Sequence, residues 1–319
     1  MKKQMYVSDI NTENIEINDF FVVVKKGVFT SKANTRYMTV ELRDKTGTIE
    51  GRVWDRVETL SGLFQKNDLV QVRGRIRMYQ QKPQLTITDI RKIEEEMGLA
   101  EMKDFYPGYE QGTTHLRKEY ETLISEIQNP HLLALFKVLE MKGYLMERYS
   151  LFPASIGVHH LHMGGLMEHS VSMAKMGKHA ATVLGGNRDV IVTGCLLHDI
   201  GKVEEIQLHG AFKHSDKGRL LGHIALGVII LETLIKEVEN FPQDLADILS
   251  HIIVSHHGVE EWGSPKKPMC IEALIVHYLD NLDAKVMGVR EHLKNSMENE
   301  RWSEYHRLYE SYFYRLPER

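Results

Sequence analysis

Cysteine is nearly absent from this 319-residue chain, and the two that occur, Cys195 and Cys270, cannot build a disulfide framework. A reducing compartment is implied, and a cytoplasmic location is expected. Long apolar runs are absent as well. FFVVV at 20–24 and GVIIL at 227–231 fall far short of the ~20 residues of a membrane span, so no membrane partner is expected. The opening MKKQMYVSDI is basic but lacks an apolar segment and cleavage site, so no signal peptide is expected. No internal repeat or low-complexity tract is visible. Histidine is missing from the first 95 residues, and all 17 histidines lie at or after His115. Those first 95 residues hold 17 Lys+Arg against 13 Asp+Glu, a net of +4, which leaves −8 for the remainder. A basic region and a histidine-rich region therefore have different tasks. With 42% hydrophobic and 26% charged residues, the chain reads as two globular domains.

The basic region alternates with period 2 between turn residues. RYMTVEL places Met38, Val40 and Leu42 on one face, and TIEGRVW does the same with Ile49, Gly51 and Val53. DKTG at 44–47 reads as the hairpin turn between them. LVQVRGRIRMY points Val70, Val72, Gly74, Ile76 and Met78 inward, and Gln71, Arg73, Arg75, Arg77 and Tyr79 outward. FFVVVKKGVF and QLTITDIRKI complete five strands in about ninety residues, a small closed barrel. Three guanidinium groups and an aromatic on one strand face can follow a phosphate backbone and stack on a base. Lys25, Lys26, Lys32, Arg36 and Trp54 would extend that surface, and the plainer reading is a solvated strand face. VELRDKTGTIEGRVWD at 40–55 resembles the OB-fold of nucleic-acid-binding proteins.

Residues 96–115 break the alternation and read as a linker, with Phe105 and Tyr106 packed against one domain. From residue 116 to 319 the pattern is helical, with Asn129 as an N-cap and Pro130 at the first helical position. His169, His198-Asp199, His223, His256-His257 and Asp280 each fall on a separate helical segment. Several inward imidazoles with two carboxylates are costly to bury unless a cation balances and coordinates them. An adjacent His-Asp pair allows the aspartate to bridge two ions, and two such ions activate water for phosphoester hydrolysis. The remaining histidines, such as His162, His251, His277 and His306, read as hydrogen-bonded structural residues.

This ordered set resembles the HD-domain phosphohydrolases, whose signature H…HD…H…H…D is spread over a helical bundle. The resemblance covers about residues 155–290. It implies metal ligands at His169, His198, Asp199, His223, His256 and Asp280, with His257 and Asp283 as further candidates. It also implies that Lys202 approaches the substrate phosphate, with Asp199 in the catalytic centre. Arg219 is a weaker candidate for the work of Lys202. An OB-fold followed by an HD domain, with HHLHMGGLMEHS, GRLLGHIALG, SHHG and HYLDNLDAK, is similar over most of the chain to the bacterial YhaM-type 3′–5′ exoribonucleases. That family's HHNYLGGLLEHT stands here as HHLHMGGLMEHS. His159, His160 and the glycine pair are kept, so His160 is a substrate-contact candidate, while Leu161 and His162 stand where the family's residues differ.

The resemblance implies a metal-dependent phosphodiesterase that shortens single-stranded RNA from the 3′ end, with single-stranded DNA as a further substrate, releasing nucleoside monophosphates. Two divalent ions are implied, manganese first, with zinc, cobalt or iron as alternatives. The aromatic tail YHRLYESYFYRL at 305–316 leaves a homo-oligomer open. Two other classes remain: an HD phosphohydrolase acting on a small nucleotide, and a single-stranded DNA-binding protein tied to replication.

Overall fold

The computed structural model describes residues 3–31, 34–94, 98, 102–108, 112–156, 162–209, 211–295 and 300–316. The chain forms two compact units. Met1–Gly108 and Ile206–His214 make the first, and Tyr109–Glu205 and Ser215–Arg319 make the second.

In the first unit, strands β1 (Glu16–Thr30), β2 (Arg36–Asp44), β3 (Gly47–Val53), β4 (Leu69–Tyr79) and β5 (Lys82–Lys92) close a barrel in the order β1-β2-β3-β5-β4. Only β3 and β5 pair in parallel among these ladders. Closure leaves no free sheet edge. Short helix α1 (Val57–Ser61) connects β3 to β4. The alternation sets the core, with Met38, Val40, Leu42, Ile49, Val53, Val70, Val72 and Ile76 all buried. The 44–47 turn is tied by Asp44, whose carboxylate accepts from the Thr46 amide at 2.8 Å and its hydroxyl at 2.6 Å. Gly74 sits at a bulge in the β4–β5 ladder, where a Cβ would stand 2.3 Å from the Thr86 carbonyl oxygen. Met78 departs from the inward expectation and is 40% exposed. Its strand pairs with β1 as far as Arg75, meets the backbone of Asn14 and Ile15 at Ile76, and continues beyond against β5.

The sequence puts the boundary at residue 95 and an all-helical domain after the linker. The barrel unit in fact extends to Gly108, burying Phe105 and Tyr106, and takes in the hairpin of β6 (Ile206–His209) and β7 (Ala211–His214). That hairpin is the one strand pair outside the barrel among the described residues.

The second unit is a bundle of α2 (Thr113–Ser125), α3 (Pro130–Met141), α4 (Gly143–Leu151), α5 (Gly165–Leu184), α6 (Arg188–Leu197), α7 (Lys202–Glu205), α8 (Asp216–Ile235), α9 (Gln243–Ser255) and α10 (Ile271–Asn295). Asn129 caps α3 by accepting from the amides of His131 and Leu132. Asn187 does the same for α6 through Asp189 and Val190. The core runs through Leu166, Val171, Ile191, Leu196, Leu231, Leu249, Ile252 and Val276. Helix α8 has the length and hydropathy of a membrane span, but Gly222 breaks it and Leu226, Ile230, Leu231 and Leu234 are buried.

Candidate metal centre and nucleic-acid interface

Five helices of the second unit bring the histidine-aspartate set together. His169 stands near the start of α5, and His198 and Asp199 follow α6. His256 and His257 follow α9, and Asp280 lies within α10. His223 depends on two glycines. Gly222 has φ 70° and interrupts α8 just before it, freeing the His223 amide to donate to Glu205 at 3.2 Å. Gly201 lets the α8 backbone approach so closely that a Cβ there would lie 1.9 Å from the His223 carbonyl oxygen. The glycine that follows the His-Asp pair is thus a packing requirement of the site.

The donor atoms form two groups, His169–His198–Asp280 and His223–His256–His257, each with ligand atoms within 4.8 Å of one another. Asp199 lies between them. Its Oδ2 is 3.4 Å from His198 Nε2 and 3.9 Å from His169 Nε2. Its Oδ1 is 3.5 Å from His223 Nε2 and 3.6 Å from His256 Nε2. In the first group, His169 Nε2 is 3.2 Å from both His198 Nε2 and Asp280 Oδ1.

Every imidazole is anchored by its other nitrogen. Nδ1 of His198 donates to the Cys195 carbonyl at 2.9 Å, that of His256 to Ile253 at 2.7 Å, and that of His257 to Trp262 at 2.6 Å. His169 donates to Asp283 at 2.7 Å, and His223 Nδ1 lies 3.3 Å from Glu205. For His198, His223, His256 and His257 these contacts leave the Nε2 lone pair aimed into the centre, the tautomer a metal needs. Asp199 Oδ1, His223 Nε2 and His256 Nε2 are buried without a hydrogen-bond partner. Orphaned buried acceptors are costly, and a divalent cation would satisfy all three, so these residues fit a metal ion. Burial opposes charge on His169, but Asp280 and Asp283 outweigh it and raise its pKa to about 10. Burial and His198 push His256 well below the usual imidazole range. Burial also pushes the Asp199 carboxyl up, but Lys202 and His198 outweigh it and hold the group well below the carboxylate range.

Asp283, the further candidate beside Asp280, lies outside both groups of donor atoms. It stands behind His169, fixed by the Ser172 hydroxyl at 2.6 Å, and orients that ring. His257, the further candidate beside His256, is a member of the second group. Lys202 lies 2.5 Å from Asp199 Oδ2, where burial opposes and Asp199 raises its pKa. A cavity of about 250 Å³ opens on the centre, lined by His169, Asp199, Lys202, His257, Trp262 and Asp280. Arg219 is exposed on the first turn of α8 and is not among the lining residues. His160 and Lys32 lie outside the described residues. Sequence reasoning missed Trp262, 53% exposed at the cavity mouth, although it follows the histidine pair by only five residues. It also missed Glu205 as the partner of His223.

On the barrel, Arg73, Arg75, Arg77 and Tyr79 are all exposed. Arg75 pairs with Glu16 at 2.6 Å, and Arg73 and Arg77 hydrogen-bond Asn18 and Asn14. Exposed pairs of this kind are weak and exchange readily for a phosphate. Trp54 stacks on Tyr37 with centroids 5.1 Å apart, and Tyr37 meets Phe29 at 5.8 Å. Arg52 lies over both Trp54 and Tyr79, at 6.0 and 5.2 Å. The aromatic row Phe29–Tyr37–Trp54 with Arg52 was not legible in the strand pattern. Lys26 does not extend this surface, because its ammonium caps the carbonyls of Ser61 and Phe64.

A family model for the HD domain matches residues 166–285, and one for an OB-fold nucleic acid binding domain matches residues 22–93. The 3′–5′ exoribonuclease YhaM of Bacillus velezensis is 32% identical over 273 residues, covering 85% of this chain and 86% of the relative. The Bacillus subtilis protein of the same name is 32% identical over 272 residues, covering 84% and 85%. That of Listeria monocytogenes is 30% identical over 287 residues, covering 89% and 90%. The likeness runs through barrel and bundle together, in the same order and at nearly full length. The chain belongs to the YhaM family of 3′–5′ exoribonucleases.

Proposed function

We propose that this protein is a metal-dependent 3′–5′ exoribonuclease that shortens single-stranded RNA to nucleoside monophosphates, and that it also accepts single-stranded DNA. The observation that carries this reading is Asp199, one carboxylate with an oxygen toward each of two histidine groups. His169, His198 and Asp280 would hold one divalent ion, His223, His256 and His257 the other, with Asp199 shared. Two such ions supply an activated water and charge stabilisation for attack on a phosphodiester. The imidazole and carboxylate donors suit manganese, with zinc, cobalt or iron also compatible.

The chain's own residues do the rest. Lys202 reaches the cavity from beside Asp199 and neutralises charge building on the phosphate. Trp262 offers an exposed ring at the cavity mouth for the terminal base. His160 and Arg219 are further substrate contacts in this reading. The barrel holds the upstream strand without sequence readout, through Arg73, Arg75 and Arg77 on phosphates and through Tyr79 and Trp54 on bases. The exposed aromatics of the tail, Trp302, Tyr305, Tyr312 and Tyr314, support assembly into a homo-oligomer, and the scarcity of cysteine supports a cytoplasmic location. The test is hydrolysis of single-stranded RNA by the metal-loaded protein against a nucleotide monomer. Faster loss of the monomer would overturn the reading.

A further inference from the structure

The hairpin β6–β7 interrupts the catalytic bundle between two of its site-bearing helices, yet it packs with the barrel. Phe212, near its tip, is buried, with its ring 4.9 Å from Tyr106 and its amide donating to the Tyr106 hydroxyl at 3.3 Å. Lys213 makes a 2.5 Å ion pair with Asp68, whose other oxygen accepts from the Gln65 amide at 2.7 Å. The docking is therefore apolar and ionic together. The pair is largely shielded, since the Asp68 side chain is only 5% exposed.

The root of the same hairpin is clamped in the bundle. The Ser215 amide donates to the Glu205 carbonyl at 2.8 Å, and its hydroxyl donates to the Glu204 carbonyl at 2.8 Å. Gly218 allows this pinch, because a Cβ there would stand 2.3 Å from the Glu205 carbonyl oxygen. Glu205, the last residue before the hairpin, then holds His223 by both its amide and its Nδ1. Lys202 lies three residues upstream on the same short helix α7. One continuous stretch of chain thus runs from Lys202 through the barrel-docked hairpin and back to His223.

We infer that the 206–214 hairpin is a strap by which docking on the OB-fold positions a metal ligand, with Glu205 as the positioning residue for His223 and with Phe212 and Lys213 as its anchor. The inference rests on the metal centre proposed above. The energetic link is direct: Glu205 fixes the tautomer and tilt of His223, and the strap fixes Glu205. Outer-shell partners of this kind change metal affinity by about 10–100-fold when removed.

The experiment uses the full chain, stripped of metal and titrated with Mn²⁺ by calorimetry, with amide hydrogen exchange followed in parallel. Glu205→Gln is expected to weaken Mn²⁺ binding at one of two sites by about 10-fold. Phe212→Ala, and separately the milder Lys213→Met, are expected to weaken the same site and to speed exchange across 202–205 and 216–223. Both anchor variants should also lose more rate on long RNA than on a chromogenic phosphodiester. Faster exchange within 206–214 alone, with Mn²⁺ affinity and the 216–223 amides at wild-type values, would overturn the strap and leave the nuclease reading standing. Failure of the wild-type chain to bind Mn²⁺ at all would overturn both.

Discussion

Asp199 is the residue on which the centre turns, since one of its oxygens lies 3.4 Å from His198 Nε2 and the other 3.5 Å from His223 Nε2. Its charge is buried and its two oxygens serve different neighbours, so alanine would remove a proposed ligand from both groups at once. Asp199→Ala is expected to abolish hydrolysis and lower metal content while circular dichroism keeps the helical signal. Wild-type turnover in that variant after metal analysis would refute the ligand assignment. Lys202 poses a sharper question, because it both pairs with Asp199 and lines the cavity. If it serves the phosphate, Lys202→Ala retains its metals and loses rate by about 10²–10³. An unchanged rate with metals intact would reduce Lys202 to a counter-ion of the aspartate.

Among the elements, the approach of α7 to α8 is the tightest constraint around the site. A methyl at Gly201 would meet the carbonyl of His223 and the amide of Gly227, both of them backbone, which cannot swing aside. Gly201→Ala is therefore expected to lower stability by about 3 kcal/mol, the upper range for overpacking, and to loosen metal binding through His223. A melting temperature and metal content equal to wild type would contradict that packing. The strands were legible because a closed barrel buries one face and imposes period 2, and β4 departs from it at Met78, three residues past its last pair with β1. The histidines were legible by type and order, because imidazoles and carboxylates buried together are costly without a cation between them. Asp280 and Asp283 were not separable, since three residues along a helix rotate a side chain by only about 60° from alignment. Glu205, Trp262 and the Phe29–Tyr37–Trp54 row became visible only once distant segments met. The docking of 206–214 on the barrel was hidden for the same reason, as nothing local marks Phe212 as a partner of Tyr106.

At the scale of the whole molecule, the proposed division of labour gives capture of the strand to the barrel and cleavage to the bundle. The arginine stripe is weakly paired to β1 and the segment before it, so its phosphate contacts would be gained at little internal cost. Replacing Arg73, Arg75 and Arg77 together by alanine is expected to leave metal content and chromogenic diester hydrolysis unchanged. The slope of log affinity for long RNA against log salt should flatten by roughly 2, at roughly 0.7 per lost single-strand contact. An unchanged slope would make the stripe a solvated strand face. A metal-dependent, 3′-directed nuclease built on Asp199 is tested most directly by product analysis on end-labelled single-stranded RNA. With Mn²⁺, the wild-type protein should release a 3′ label at once as a mononucleotide and shorten a 5′-labelled strand one nucleotide at a time, and the Asp199→Ala protein should do neither. Early release of the 5′ label, internal fragments, or cleavage that persists without Asp199 would contradict it.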